Sequence, residues 1–210
     1  MLAEDGRSPD DLQCPVEPPL GSRERAERRA AGLAATRVTM NCSGKHAGFL
    51  CTCRHLGFAT KGYVAAGHAE QRLIAETMSA VTGAAHDADN AAIDGCAIPT
   101  YAVPLMALAR GFARMATGEG LEPVRAAAAR RLIAACMAEP WFMAGTGRFD
   151  TRIMQAAPGR VFAKIGAEGV YCAALPELGL GLALKADHHG AGGGVAAASG
   201  WGESYVNEHP

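Results

Sequence analysis

RVFAKIGAEGVYCAALPELGLGLALK, residues 160–185, is the stretch that decides the fold class. Short runs of aliphatic and aromatic residues are punctuated here by glycines and one proline, the pattern of brief antiparallel strands. It predicts three strands, over Arg160–Lys164, Gly169–Ala174 and Leu178–Lys185, with Pro176–Gly179 turning between the last two. Working backwards, the period changes. Pro123 and Pro104 each suit the first turn of a helix, predicting helices to about Ala138 and about Ala116. In Ala69–Thr82, Leu73, Ile74, Thr77, Met78 and Val81 fall on one face, which predicts an amphipathic helix. A charged helix is expected over 23–33, and loops over 41–48, leading into a helix, over 94–99 and over 144–150. Helices in the middle followed by strands at the end imply a helical layer on an antiparallel sheet, a mixed α/β (α+β) architecture. There is no internal repeat. Residues 1–187 are expected to form the domain. The glycine- and alanine-rich stretch 188–210 offers little apolar area to offset ordering entropy and is expected to be a disordered tail.

Composition narrows the function. With 49% hydrophobic residues the chain can bury a core, and a formal net charge of −1 with no basic stripe argues against nucleic acid or an anionic membrane as the main partner. No apolar run is long enough to span a bilayer. The start, MLAEDGRSPDD, is acidic and lacks the apolar core of a secretory signal. The seven cysteines, an odd number, then suggest reduced thiols and a cytoplasmic location.

Four motifs carry candidate chemistry. In Asn41-Cys-Ser-Gly-Lys-His46, Cys42 and Lys45 are three apart, so one turn can bring thiol and amine to one point, a soft donor pair suited to zinc. The plain alternative is a buried thiol beside a solvated lysine. In Asp94-Gly-Cys96, Cys96 could complete a metal site and Asp94 could hold a substrate ammonium group; an Asp that turns its own backbone is the commoner reading. Lys164 sits in a Lys-x-Gly strand like that of serine acylases, and Lys185 ends the last strand; either could equally face solvent from a strand edge. Ala144–Asp150 reads as a structural loop, since no Gly-Lys-Ser/Thr follows its glycines. Cys51 and Cys53 are too close for the usual zinc spacing. His55, His68 and His86 read as surface or helix-end residues.

Together these motifs are more specific. NCSGKHAGFL, DGCAIPTYAVPL, MAGTGRFDT and KIGAEGVYCAALPELGLGLALKAD occur in an order that resembles the bacterial L-asparaginase II family, strongly over 41–187 and weakly over 1–40. The resemblance implies hydrolysis of L-asparagine to L-aspartate and ammonia, a fold like the serine β-lactamases and glutaminases, and a homodimer. It implies a zinc ion held by Cys42, Lys45 and Cys96, with His46 and Asp94 lining the site and organising the substrate. It also implies a lysine late in the sheet that supports a serine, matched first by Lys185 and alternatively by Lys164. Two features depart from the family. Its Ser-x-x-Lys segment, which carries the nucleophile, occurs nowhere in the 210 residues, and the family pattern gives way near Asp187. The chain is therefore expected to be a member truncated at both ends, with little activity or, alternatively, a non-catalytic zinc-binding role.

Overall fold

A computed structural model describes residues 2–4 and 6–186; the expected tail, 188–210, lies outside the described residues. Helix and antiparallel strand are mixed, as the sequence implied, and the described residues group into two compact units, one within 2–77 with 86–102 and one of 78–85 with 103–186.

In the first unit, α1 (Ser22–Ala30) is the charged helix expected near the N-terminus. Helix α2 (Ser43–Leu56) begins directly after Cys42, so most of the loop expected over 41–48 is in fact the first turn of a helix. Gly57, at φ +70°, ends it in the left-handed conformation that glycine adopts without steric cost. Helix α3 (Ala69–Thr82), of which residues 69–77 belong to this unit and 78–82 to the second, matches the amphipathic segment to the residue. The hairpin of β1 (Ala91–Ile93) and β2 (Pro99–Tyr101) was not foreseen; its two strands are only three residues each and flank the Asp94-Gly-Cys turn. Leu12, Cys14, Met40, Leu50, Cys53, Tyr63, Cys96 and Ile98 close the core of this unit, with Phe49 and Phe58 packed at its edge.

The second unit holds the stretch that opened the sequence reading. Helices α4 (Leu105–Thr117), α5 (Pro123–Ala138), α6 (Pro140–Ala144) and α7 (Phe149–Ala156) precede a three-stranded antiparallel sheet of β3 (Phe162–Ile165), β4 (Val170–Leu175) and β5 (Leu180–Lys185), with β4 in the centre. Helices α6 and α7 flank the loop expected over 144–150 and overlap it only at Ala144, Phe149 and Asp150; no element was expected over the rest of either helix. They are five and eight residues long, too short for a periodic signal, and the glycines between them at 145 and 147 have positive φ. Asp150, 1% exposed, accepts the Ile165 N–H at 2.7 Å and so ties α7 to the edge strand β3.

The helical layer packs on one face of this sheet. Ala109 of α4 meets Cys172 and Ala183, which are paired across β4 and β5, and Phe112 stacks on Phe162 at 5.9 Å. The approach is closest at Gly181, where a methyl group would fall 1.9 Å from the Ala109 carbonyl oxygen and 2.6 Å from the Ala113 nitrogen. Both are helix backbone atoms that cannot swing aside. Gly181→Ala is therefore expected to lower stability by about 1–3 kcal/mol, measured as a drop in the urea midpoint with little change in slope; an unchanged midpoint would show that α4 is not seated on β5 in this way.

Candidate functional site

Helix α2 and the β1–β2 hairpin together place the residues of two motifs side by side. The His46 N–H donates to the Cys42 carbonyl at 3.0 Å, closing the first turn, which puts Cys42 and Lys45 one turn apart. In the hairpin, the Asp94 N–H reaches the Ile98 carbonyl and the Ala97 N–H the Asp94 carbonyl, each at 3.0 Å. Ala97 takes φ +70°, a conformation unfavourable for a residue with a side chain. The Asp94 Oδ1 accepts the N–H groups of Cys96 at 2.9 Å and Ile98 at 3.3 Å. Asp94 thus turns its own backbone, and its carboxylate faces the cluster as well. The Cys96 Sγ lies 2.9 and 3.0 Å from the two Asp94 oxygens, and the Lys45 Nζ lies 3.0 Å from that sulfur and 3.9 Å from Asp94 Oδ2. Cys42, half-buried, packs at the edge of the core that contains Cys96.

Burial and the Asp94 hydrogen bond push the Cys96 thiol up to about 12, against the pull of Lys45. At neutral pH Cys96 is a thiol that donates to Asp94. Burial disfavours the Lys45 ammonium, but the hydrogen bond to Cys96 and the nearby Cys42, Cys96 and Asp94 outweigh it and raise its pKa, so it stays protonated. Among the described residues no three His, Cys, Asp or Glu side chains stand together as metal ligands; the set that converges here includes a lysine.

His46 is fully buried behind this cluster. Its tautomer follows from its neighbours. The Gln13 N–H donates to the Tyr63 hydroxyl at 2.8 Å, leaving the hydroxyl proton to be donated to His46 Nδ1, also at 2.8 Å. Nδ1 is then the acceptor, and the neutral ring carries its proton on Nε2. No described group meets Nε2 in hydrogen-bonding geometry. Burial first, then the Lys45 charge, lower the ring's pKa from 6.5 to about 4, although Asp94 and the Cys96 backbone oppose this. Gln13 and Tyr63 were missed in the sequence because neither belongs to a motif.

The two lysines belong to the second unit. Lys164 is half-buried on β3, in the row it forms with Cys172 and Ala183, on the face that α4 covers. Its Nζ donates to the Ile165 carbonyl at 2.5 Å. Lys185 is exposed at the end of β5 and donates to the Glu168 carbonyl. Of the histidines read as surface or helix-end residues, His55 is exposed in the last turn of α2, and the His68 Nδ1 accepts the Glu70 N–H at the start of α3. His86 corrects that reading: it is buried and packs edge-on against Tyr101 at 5.1 Å.

The buried ring gives the metal-free chain a defined response to acid. Unfolded, His46 takes up a proton near pH 6.5; folded, only near 4. The unfolded state binds more protons in that window, so stability falls as the pH drops through it, by about 3 kcal/mol at most. His46→Gln is expected to flatten the urea midpoint between pH 7 and pH 4.5; a variant as acid-sensitive as the parent would place the titration elsewhere.

A sequence model of the L-asparaginase II family matches residues 1–198, taking in the first forty residues and continuing past Asp187, where the motif-level resemblance ends. No curated protein matches the chain significantly. The match spans both units and all four motifs, and with it the chain belongs to the L-asparaginase II family of amide hydrolases.

Proposed function

We propose that this chain binds L-asparagine and a zinc ion at the Cys42–Lys45–Asp94–Cys96 cluster, and that the described residues provide the binding and proton-handling parts of amide hydrolysis but no activated nucleophile. The observation that carries the reading is the convergence of the Lys45 amine and the Cys96 thiol, 3.0 Å apart, with Asp94 against the same sulfur. Two thiols and an amine are donors that zinc accepts, so the residues fit the ion in kind. Zinc, when bound, would polarise the amide carbonyl or acidify a water. Cys42, Lys45 and Cys96 would hold it, after Cys96 and Lys45 give up the protons that they carry without metal.

Asp94 suits the substrate's ammonium group. Its Oδ1 is occupied by backbone donors, while Oδ2 keeps accepting capacity and the side chain is 32% exposed. The His46 Nε2–H offers a second buried donor beside the cluster. A supporting lysine late in the sheet, matched by Lys185 or alternatively by Lys164, is part of the same proposal and rests on the family resemblance. Ser43, the serine nearest the metal ligands in sequence, donates its hydroxyl to the Val38 carbonyl at 2.9 Å and has no base at hand. A β-lactamase-like fold and a homodimer are part of the same proposal and rest on the family resemblance; a cytoplasmic location is also part of it and rests on the odd number of cysteines and the acidic N-terminal stretch.

The test combines metal content with ammonia release from L-asparagine by the purified chain. We expect about one zinc per chain, lost in Cys96→Ser and Cys42→Ser, and turnover far below a typical enzymatic rate of about 10 per second. Turnover at that rate would sink the claim that the nucleophile is lacking. Absence of bound zinc in the parent chain would sink the metal assignment.

A further inference from the structure

We propose that the concavity beside α1 is a binding site for a small oxyanion with a short apolar body, a dicarboxylate or a phosphate monoester, separate from the asparagine site. It encloses about 220 Å³ and is lined by Arg25, Arg28 and Arg29 of α1. Pro18, Pro19 and Leu33 supply its apolar wall.

The charge arrangement on α1 points to an anion. The helix carries two glutamates, and both turn away from the cavity's arginines. Glu27 pairs with Arg23 at 2.7 Å. Glu24 folds back over Gly21, close enough that a methyl group there would lie 1.9 Å from its Oε2. Arg25, Arg28 and Arg29 are left at spacings of three and four on one face, where like charges repel across a helical turn. Among the described residues none of the three has a carboxylate within ion-pairing distance.

The guanidinium groups are also positioned in advance. Arg25 donates through Nε to the Pro19 carbonyl at 3.1 Å and through Nη2 to the Leu20 carbonyl at 3.2 Å. Arg28 Nη2 donates to the Ala34 carbonyl at 2.6 Å. These bonds spend part of each fork on neutral carbonyls and leave both positive charges uncompensated. The Nε of Arg28 is shielded from solvent with no partner in hydrogen-bonding geometry. A buried donor on a charged group is costly to leave unmet, and a carboxylate or phosphate matches a guanidinium edge with two parallel bonds. The volume suits a small acid and falls below the roughly 300 Å³ at which drug-sized ligands begin. The apolar wall favours an anion carrying carbon over a bare halide.

Inorganic phosphate and, separately, succinate are titrated into the full chain at ionic strength held constant with chloride, following the melting temperature and the heat of binding. Succinate lacks the amino group that Asp94 would engage, so the outcome does not depend on the asparagine site. We expect saturable binding of at least one anion, with a rise in melting temperature. Binding should be lost in the R25Q/R28Q/R29Q variant and weakened about tenfold in Arg28→Lys, which keeps the charge and removes the fork. Phosphate alone would assign monoesters, and succinate alone dicarboxylates. Binding of neither anion, or binding that survives in the triple variant or is unchanged in Arg28→Lys, overturns the proposal.

Discussion

The Asp94 carboxylate is the constraint on which the candidate site depends. One oxygen holds the β1–β2 turn closed through two backbone N–H groups, and the same carboxylate contacts the Cys96 thiol. The hairpin is only three residues a side and cannot fix a functional geometry through its ladder alone. The turn is therefore specified from inside, by a side chain that satisfies its own loop. It is specified firmly enough to hold Ala97 in a left-handed conformation. Removing the carboxylate would loosen the turn and release the sulfur together, so Asp94 cannot be assigned to structure or to chemistry alone.

The protons around this carboxylate set what the cluster can do. Thiol, ammonium and carboxylate are linked within 3 to 4 Å, with protons on sulfur and nitrogen. Behind them His46 is neutral, and its ring orientation is fixed by Tyr63 and, through Tyr63, by the Gln13 backbone. A soft cation entering here would displace protons from Cys96 and Lys45 while His46, already neutral, would lose none. Metal affinity at such a site rises with pH, because the ligands must be deprotonated to bind.

The residues that converge in the cluster were more legible in the sequence than the elements that hold them. Cys42, Lys45, Asp94 and Cys96 sit in short motifs whose residue types are informative at sight. The strands of the second unit were equally clear, because glycine and proline punctuate them. A helix was expected after the 41–48 stretch, but its start was placed too late because the first turn, Ser-Gly-Lys-His, is weak in helix propensity, and Ala47, Leu50 and Cys53 packed into the core draw it into the helix. Helices α6 and α7 were hidden by brevity. Tyr63 and Gln13 were hidden because their roles come from contacts made 17 and 50 residues away in sequence. The burial of His86 was missed because a lone histidine carries no sign of the tyrosine that covers it.

The thiols bear on what could replace a serine nucleophile. Thiolate, and not thiol, attacks. Burial holds Cys172 at about 11, even with Lys164 in the same row pulling it down. Burial and Glu70 hold Cys53 at about 11, and burial with the Asp94 hydrogen bond holds Cys96 at about 12. At neutral pH the thiolate fraction of each of these sulfurs is about four to five orders of magnitude below one, so none is poised to attack an amide. The features that make them poor nucleophiles, burial and anionic neighbours, do not prevent a metal from binding Cys96, since a divalent cation supplies the charge that the site lacks. On the proposed reading, Lys45 would then serve as a ligand and Asp94 as a substrate contact. Under that proposal the cluster would hold the amide and the metal, and the attacking oxygen would come from water or from a residue outside this cluster.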